Sequence, residues 1–154
     1  MASTRWLSGP EDRAWRSMQL MHMRLTAELS RQLAEDSSLS YPDYIVLVAL
    51  TARPDGRGRI FEVANEIGWE KSRLSHHIGR MSERGLVTRE KCDSDRRGAF
   101  VVITTQGRRE LEAAAPGHVA AVRRLFLDGL TTEQLDVIAE VAQTTLDRLS
   151  NPPR

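Results

Sequence analysis

The chain has 154 residues, of which 40% are hydrophobic and 28% charged, and its formal net charge is +1. This length fits a single domain over residues 1–154, and no apolar run resembles a signal peptide or approaches the roughly 20 residues that span a bilayer. A single cysteine, Cys92, excludes an internal disulfide framework, so we expect a cytoplasmic protein with no membrane partner.

Positive charge is concentrated in the middle of the chain. Residues 53–97 contain 11 of the 22 Lys and Arg residues but only 8 of the 21 Asp and Glu residues. The balance is therefore +3 in this segment and −2 in the rest of the chain. Such an asymmetry gives modest support to an anionic partner for the central segment.

The first predicted element is a long amphipathic helix over residues 8–36. Ser8, Pro10 and Glu11 have the spacing of a helix start, with a capping serine, a first-turn proline and a carboxylate that returns to the cap. A helix of this length near a chain end usually needs a second helix to cover its apolar face. That face carries, at helical spacing, Trp15, Met18, His22, Leu25, Leu29 and Leu33.

A second helix is predicted to begin near Ser40 or Pro42 and to end at a polar turn over residues 53–58, where Pro and Gly interrupt the pattern. A short helix over residues 60–67 follows, and Gly68 separates it from the next helix. The inward-facing residues of the second helix are expected to be Tyr44, Leu47, Val48 and Thr51.

The next helix, over residues 70–84, has one apolar face and one polar, basic face. Leu74, Ile78 and Met81 lie at positions i, i+4 and i+7 and form a narrow apolar stripe. His77 lies towards the buried edge of the helix, so we expect it to be packed. The polar side carries Lys71, Ser72, Arg73, Ser75, His76 and Arg80.

Residues 86–104 are predicted to form a β-hairpin, because the hydrophobic period changes there from that of a helix to that of a strand. The two strands are expected over residues 86–91 and 99–104, and we refer to the hairpin as the wing. The tip of the wing is polar and carries Asp95, Arg96 and Arg97.

Two further helices are predicted over residues 105–150. The first begins at Thr104 or Thr105 and ends at Asp128, and Thr131 opens the second with another capping box. The sequence therefore predicts a mainly α-helical fold with a small β-hairpin wing.

The sequence predicts a winged helix-turn-helix over residues 40–104, because this segment contains, in order, a helix, a glycine, a second helix and a hairpin. A helix fits the major groove of DNA, where short polar and cationic side chains bind base edges and phosphates. The polar face of the 70–84 helix meets that need, and Arg96 and Arg97 at the wing tip are suited to an adjacent minor groove. Asp95 is expected to orient Arg97 or to cap the turn.

The wing sequence also resembles that of a known family. Residues 93–99, Asp-Ser-Asp-Arg-Arg-Gly-Ala, followed by residues 102–108, Val-Ile-Thr-Thr-Gln-Gly-Arg, are similar to the wing signature of MarR-type transcriptional regulators. The resemblance covers nearly the whole chain. It implies that Arg97 is the wing arginine, Asp95 its aspartate, and residues 71–84 the recognition helix.

The resemblance further implies a homodimer in which dimerisation helices, residues 8–36 and 105–150, interlock and flank the DNA-binding lobe. Such a dimer would bind double-stranded DNA at an inverted-repeat operator, with repression as the default outcome. Relatives bind small phenolic or anionic effectors in a cleft beside the dimerisation helices. Trp15 and Tyr44, taken singly, are more typical of a core. The corresponding cleft candidates in this chain are Trp15, Arg16, His22 and Tyr44.

Other interpretations remain open at the level of the sequence. A winged helix can bind a protein instead of DNA, or it can bind DNA without sequence preference. No phosphate loop, nucleophile elbow or metal motif is present, so we expect neither an enzyme nor a cofactor. The four histidines lack ligand spacing. Cys92 is interpreted as structural or incidental, because oxidant-sensing relatives carry their cysteine in the first helix.

Overall fold

The computed structural model describes residues 4–91 and 98–151, so the predictions for Cys92, Asp95, Arg96 and Arg97 lie outside the described residues. Its mainly helical architecture with one small sheet confirms the predicted fold class. In chain order the elements are α1 (Gly9–Asp36), α2 (Tyr41–Thr51), β1 (Arg57–Arg59), α3 (Ile60–Ile67), α4 (Lys71–Glu83), β2 (Val87–Lys91), β3 (Ala99–Ile103), α5 (Thr105–Val122), a π-helical turn (Arg123–Leu127) and α6 (Thr132–Ser150).

Contacts within the chain divide it into two compact units, with the boundary between Val119 and Ala120. The first unit contains α1 to α4, the sheet and most of α5, and the second contains the π-helical turn and α6. In the part of the chain that the structure describes, none of the helices combines the length and the apolar character needed to traverse a bilayer.

Three helices begin at capping boxes that the local sequence specifies. Ser8, Ser40 and Thr131 each accept a hydrogen bond from the backbone N–H three residues later, and the side chain at that later position accepts one from the N–H of the cap. Each box satisfies backbone donors that the first turn of a helix leaves without a partner. The predicted helix starts at Ser8 and Thr131 are thereby confirmed, and α2 begins directly after Ser40.

The small sheet has three antiparallel strands in the order β1-β3-β2, not the two of the predicted hairpin. Because β1 occupies residues 57–59, the predicted turn over residues 53–58 was wrong for its last two positions. Gly58 is buried opposite Val101, where an added Cβ would lie 2.8 Å from Val63 Cγ2. A strand of two arginines and one glycine has no alternating apolar pattern, so hydrophobic period could not predict it.

The two strands of the predicted wing are confirmed. β2 and β3 pair from Val87 opposite Ile103 to Lys91 opposite Ala99. Side chains alternate between the two sides of the sheet, and Val101 and Ile103 on the inner side are buried.

α2 turns a different face to the core from the one predicted. Val48 is 43% exposed, so its inward placement was wrong, and Tyr44 and Thr51 are only partly buried. Asp43 explains the error, because a carboxylate inside the buried stripe shifts the apparent centre of the hydrophobic face. The buried residues of α2 are Asp43, Val46, Leu47, Ala49 and Leu50.

The core of the first unit lies between α2, α3, α4 and the sheet. As predicted, Leu74, Ile78 and Met81 of α4 are fully buried. This packing fixes one face of α4 against the body of the unit and leaves the opposite face to solvent. The stripe joins a core cluster that includes Leu47, Leu50, Val63, Val87 and Val101.

Only part of the apolar face of α1 is covered. Leu29 and Leu33 near its C-terminal end are buried, whereas Trp15 is 51% exposed. The assignment of Trp15 to the core was therefore wrong for the single chain, while Tyr44 does pack against the core cluster.

We expect Gly107→Ala to destabilise the first unit. Gly107 lies in the first turn of α5, its N–H donates to Thr104 Oγ1 at 2.9 Å, and an added Cβ would overlap the carbonyl oxygen of Leu86. Because the obstacle is backbone, relief requires α5 to shift, and the free energy of unfolding should fall by about 1–3 kcal/mol. Urea denaturation at fixed protein concentration measures the change.

The matched control is Gly79→Ala in α4, where an added Cβ meets nothing within 4 Å. This substitution should raise the free energy of unfolding by up to about 1 kcal/mol, because alanine favours a helix interior. Equal effects of the two substitutions would contradict the assigned contact at Leu86.

Candidate nucleic-acid interface

Most of the predicted DNA-contacting residues of α4 lie on the side of the helix that faces away from the core. Ser75 is half-buried, and its backbone carbonyl accepts a hydrogen bond from Arg89 Nη2 of β2 at 3.0 Å. Arg89 also donates to the Ser75 hydroxyl, so this hydroxyl is already engaged within the protein. The five other candidates on α4 are all exposed: Lys71, Ser72, Arg73, His76 and Arg80.

Arg73 stacks on an aromatic ring that the sequence analysis did not single out. Its guanidinium carbon lies 4.1 Å from the centre of the Trp69 ring, and Trp69 meets His77 edge-to-face with ring centres 5.6 Å apart. Trp69 follows Gly68, whose φ of 70° ends α3, and this turn places the indole beside the first residues of α4. A cation over an indole face is attracted by the ring quadrupole, which holds Arg73 along the helix surface.

A chain of polar contacts links α4 to the start of α2. Arg80 Nη2 lies 2.9 Å from His77 Nδ1, and His77 Nε2 lies 2.9 Å from Asp43 Oδ1. Since a guanidinium has only donors, Nδ1 must accept, and the ring hydrogen belongs on Nε2. The contact of Nε2 with Asp43 Oδ1 is close but lacks the alignment of a hydrogen bond. The packed position predicted for His77 is confirmed.

Arg84 completes the contacts of the Asp43 carboxylate. Arg84 Nη1 donates to Asp43 Oδ2 at 2.7 Å, and its Nη2 donates to the carbonyl oxygen of Ser38 at the same distance. Burial of Asp43 by itself raises the pKa of its carboxyl, but the contacts with His77, Arg84 and Ser40 outweigh burial and hold that pKa well below its usual value. A charged, fully buried carboxylate therefore joins α2 to the middle of α4 and to the residue just past its end.

The outer side of the sheet carries two further arginines. Arg57 lies over the Phe100 ring at 3.8 Å and makes a 3.1 Å ion pair with Glu90, and Arg59 lies 5.3 Å from the same ring. Both belong to β1, the strand that the sequence did not reveal. The charge of Arg57 is offset by Glu90, so Arg59 is the more available cation of the two.

The sequence and the fold have counterparts among known proteins. The sequence profile of the MarR family matches residues 37–98. AbsC, a MarR family transcriptional regulator from Streptomyces coelicolor, is 39% identical to this chain, with a TM-score of 0.87 and coverage of 96% of this chain and 99% of AbsC. The chain belongs to the MarR family.

Two further relatives agree with this assignment. Sco3205, a MarR family regulator of Streptomyces coelicolor solved in complex with DNA, is 37% identical, with a TM-score of 0.91 and coverage of 97% of this chain and 94% of Sco3205. The transcriptional regulator HosA of Escherichia coli O127:H6 is 27% identical over 137 residues, which are 88% of this chain and 96% of HosA. The resemblance found in the wing sequence is confirmed, and this MarR protein is a DNA-binding transcriptional regulator, a class that is not enzymatic.

A second candidate site of this MarR chain lies beside Tyr44. The Tyr44 and His118 rings are 4.4 Å apart between centres, and burial lowers the pKa of His118. The adjoining cavity of about 270 Å³ is lined by Tyr41, Tyr44, Ile45, Val48, Ala49, Glu66, Ile67 and His118.

The other effector candidates do not line this cavity. Trp15, Arg16 and His22 are exposed along α1, and Arg16 pairs with Asp12 at 2.9 Å. Tyr44 is thus the only one of the four predicted cleft residues in the cavity. Within residues 4–91 and 98–151, no three His, Cys, Asp or Glu side chains are grouped so that they could hold a metal.

We expect Asp43→Asn to lower the free energy of unfolding at pH 7 by about 3 kcal/mol, because it removes the charge that His77 and Arg84 face in a buried setting. The folded-state pKa of Asp43 is depressed, so its stabilisation is present above the unfolded pKa of about 3.9 and is lost as pH falls through the folded pKa. The difference between wild type and variant should therefore shrink between pH 5 and pH 3, as urea denaturation at each pH measures.

Asp12→Asn is the matched control, since Asp12 pairs with Arg16 on an exposed stretch of α1. It should change stability little, and without a comparable pH dependence. A wild-type-to-Asp43→Asn difference that stays constant down to pH 3 would contradict the charged, partnered state of Asp43.

Proposed function

We propose that the protein is a sequence-specific repressor that binds an inverted-repeat operator in the cytoplasm as a homodimer, with α4 as its recognition helix. The observation that carries this proposal is the division of α4 into a buried apolar stripe and an exposed face of polar and cationic side chains. A helix held by one face, with the other free, is what insertion into a major groove requires.

Individual side chains of α4 suit different parts of the duplex. Arg73 and Arg80 can each form paired hydrogen bonds to the O6 and N7 atoms of guanine or contact a phosphate, and Ser72 and His76 can bind base edges. Lys71 is at the N-terminal end of α4, where free backbone N–H groups add to its attraction for phosphate. Ser75 is the weakest candidate, because Arg89 occupies its hydroxyl.

The wing supplies the second DNA contact in this proposal. β2 and β3 direct the chain towards the tip, and Arg96 and Arg97 there would enter a minor groove while Asp95 orients Arg97. These three roles follow from the resemblance of the wing sequence to the MarR signature.

Homodimerisation is supported by the apolar surface that the single chain leaves exposed. Every residue of α6 is exposed, although the helix is amphipathic. We propose that residues 8–36 and 105–150 bury these surfaces against a second copy, which would place two recognition helices about one helical turn, or roughly 34 Å, apart. Large apolar side chains exposed on α6 include Leu135, Val137, Ile138, Val141, Leu146 and Leu149.

We further propose that a small phenolic or anionic effector regulates DNA binding from the cavity at Tyr44. The aromatic rings of Tyr41, Tyr44 and His118 would stack on a planar ligand, and His118 Nδ1, which is buried without a hydrogen-bond partner, would bind its polar group. The exposed residues Trp15, Arg16 and His22 would contribute only if a second copy brought them to the cleft. The effector would act by favouring a spacing of the two lobes that no longer matches the operator.

We expect His76→Ala to relax base preference at one or two positions of the operator without abolishing binding. A lost base contact costs about 1–3 kcal/mol at its own position and leaves phosphate contacts intact. Sequences selected by the wild type from a random duplex library, followed by fluorescence anisotropy on single-base variants, measure the change.

Arg109→Gln is the control, because Arg109 is an exposed arginine of α5 outside the proposed interface. It should leave the preference of every base position unchanged. Equal affinity of the wild type for all duplexes would indicate a non-specific DNA binder. No binding to any duplex would favour a protein-interaction adaptor.

We expect Ile138→Asp to convert the dimer into a monomer, because Ile138 belongs to the exposed apolar face of α6 and a charge there cannot be buried without a partner. Glu140→Lys, on the polar side of the same helix, should leave the dimer intact. Light scattering during size-exclusion chromatography at micromolar concentration distinguishes the two masses. A wild type that is already monomeric would exclude the proposed assembly.

A further inference from the structure

A cavity of about 350 Å³ lies between the start of α2 and the exposed side of α4. It is separate from the aromatic cavity beside Tyr44, and the two share no lining residue. Its lining combines guanidinium groups with an indole, an imidazole and a serine. The lining residues are Ser40, Pro42, Trp69, Arg73, His77, Arg80 and Arg84.

The charges around this cavity do not cancel. Three arginines line it, and among the described residues the one carboxylate that contacts any of them is Asp43, which pairs with Arg84 at 2.7 Å. Within residues 4–91 and 98–151, neither Arg73 nor Arg80 has a carboxylate oxygen within 4.0 Å. Two guanidinium charges therefore remain unbalanced at one concave surface, which favours a doubly charged anion.

Arg73 and Arg80 are held by neutral partners that an anion can outcompete. Arg73 stacks on the Trp69 ring at 4.1 Å, and Arg80 donates to His77 Nδ1 at 2.9 Å. A guanidinium forms stronger, bidentate bonds to an oxyanion than to an indole face or a neutral imidazole nitrogen. Both side chains are exposed, so they can turn into the cavity without disturbing the core. Arg84 remains paired with Asp43 and contributes positive charge at the edge of the cavity.

We propose that this cavity binds the oxyanion of a phosphate group through Arg73 and Arg80, and that a free phosphate in the cavity competes with DNA for these two side chains. The competition rests on the proposed function, since it requires Arg73 and Arg80 to contact DNA. Binding of the anion itself does not depend on that function. The phosphate group has two possible sources, a free phosphate or phosphomonoester and the DNA backbone.

Trp69 provides a direct measurement of anion binding in the absence of DNA. Trp6 and Trp15, the other two tryptophans of the chain, are 84% and 51% exposed, and Trp6→Phe with Trp15→Phe leaves Trp69 as the only indole while keeping an apolar ring at both positions. Inorganic phosphate is added to this full-length variant at constant ionic strength against sodium chloride. We expect a saturable change of Trp69 emission as Arg73 leaves the ring.

Substitution of Arg80 tests whether the response comes from this cavity. Arg80→Gln in the same background should weaken phosphate binding about tenfold or more, and Arg80→Lys, which keeps the charge but loses the planar fork, should give an intermediate value. Arg109→Gln should leave phosphate binding unchanged. The site is overturned if the emission of the Trp69-only protein does not saturate, or if Arg80→Gln in that background responds equally.

A DNA-binding titration at constant ionic strength tests the competition. Phosphate at nine times its dissociation constant should weaken DNA binding by the wild type about tenfold. A competitor raises the apparent dissociation constant for DNA by a factor of one plus the competitor concentration divided by its own dissociation constant. In Arg80→Gln, whose dissociation constant for phosphate is expected to be about tenfold higher or more, the same phosphate concentration should weaken DNA binding by no more than about twofold. Saturable phosphate binding without an effect on DNA affinity overturns the competition. Saturable binding in a protein that binds no DNA would refute the proposed function and leave the anion site standing.

Replacement of single backbone phosphates by neutral methylphosphonates distinguishes the two sources of the anion. If a DNA phosphate occupies the cavity, one such replacement weakens binding by the wild type but not by Arg80→Gln. If no position behaves in this way, the ligand of the cavity is the free anion and its effect on DNA is purely inhibitory.

Discussion

The placement of α4 depends on one buried charge, the carboxylate of Asp43. A carboxylate that is fully shielded from solvent needs close polar partners. Here Arg84 and the backbone N–H of Ser40 donate to Asp43 Oδ2, and His77 Nε2 contacts Oδ1. Two of these partners belong to the α4 region, near the middle and just past the end of that helix. Sliding of α4 along α2 would remove His77 and Arg84 from the charge and leave it only the N–H of Ser40. The apolar stripe therefore sets which face of α4 is buried, and Asp43 sets its register.

The same contacts determine how the basic face of α4 is presented. Arg80 contacts His77, and His77 contacts Asp43. Arg73 stacks on Trp69, and the Trp69 ring packs edge-to-face against His77. The arginines are therefore restricted before any ligand arrives, which reduces the conformational entropy lost on binding. Because their immediate partners are neutral, they also remain free to exchange them for a phosphate or a base edge. The excess of positive charge in the central segment thus reaches solvent along one helix face.

The sequence predicted elements whose signal is local and missed those whose signal depends on distant partners. The stripe of Leu74, Ile78 and Met81 and the wing strands follow from hydrophobic period, so they could be found without coordinates. The buried role of Asp43 could not be predicted, because a lone acidic residue near a helix start normally suggests a cap. Its contacts with α4 need His77 and Arg84, which lie 34 and 41 positions further along the chain. β1 could not either, because its place in the sheet comes from pairing with β3 and not from its own composition.

The proposed dimer contacts and the proposed DNA contacts belong to different parts of the chain. The lobe formed by α2, α3, α4 and the sheet has a closed core in a single copy, and Asp43 completes its internal polar contacts. α6, in contrast, buries no residue within one copy. The register of α4 is therefore set before assembly, and contacts at α6 can change without altering which side chains α4 presents. In a dimer, a change at the dimerisation helices would alter the distance between two lobes while each lobe keeps its own recognition surface, and that distance decides whether both can occupy one operator.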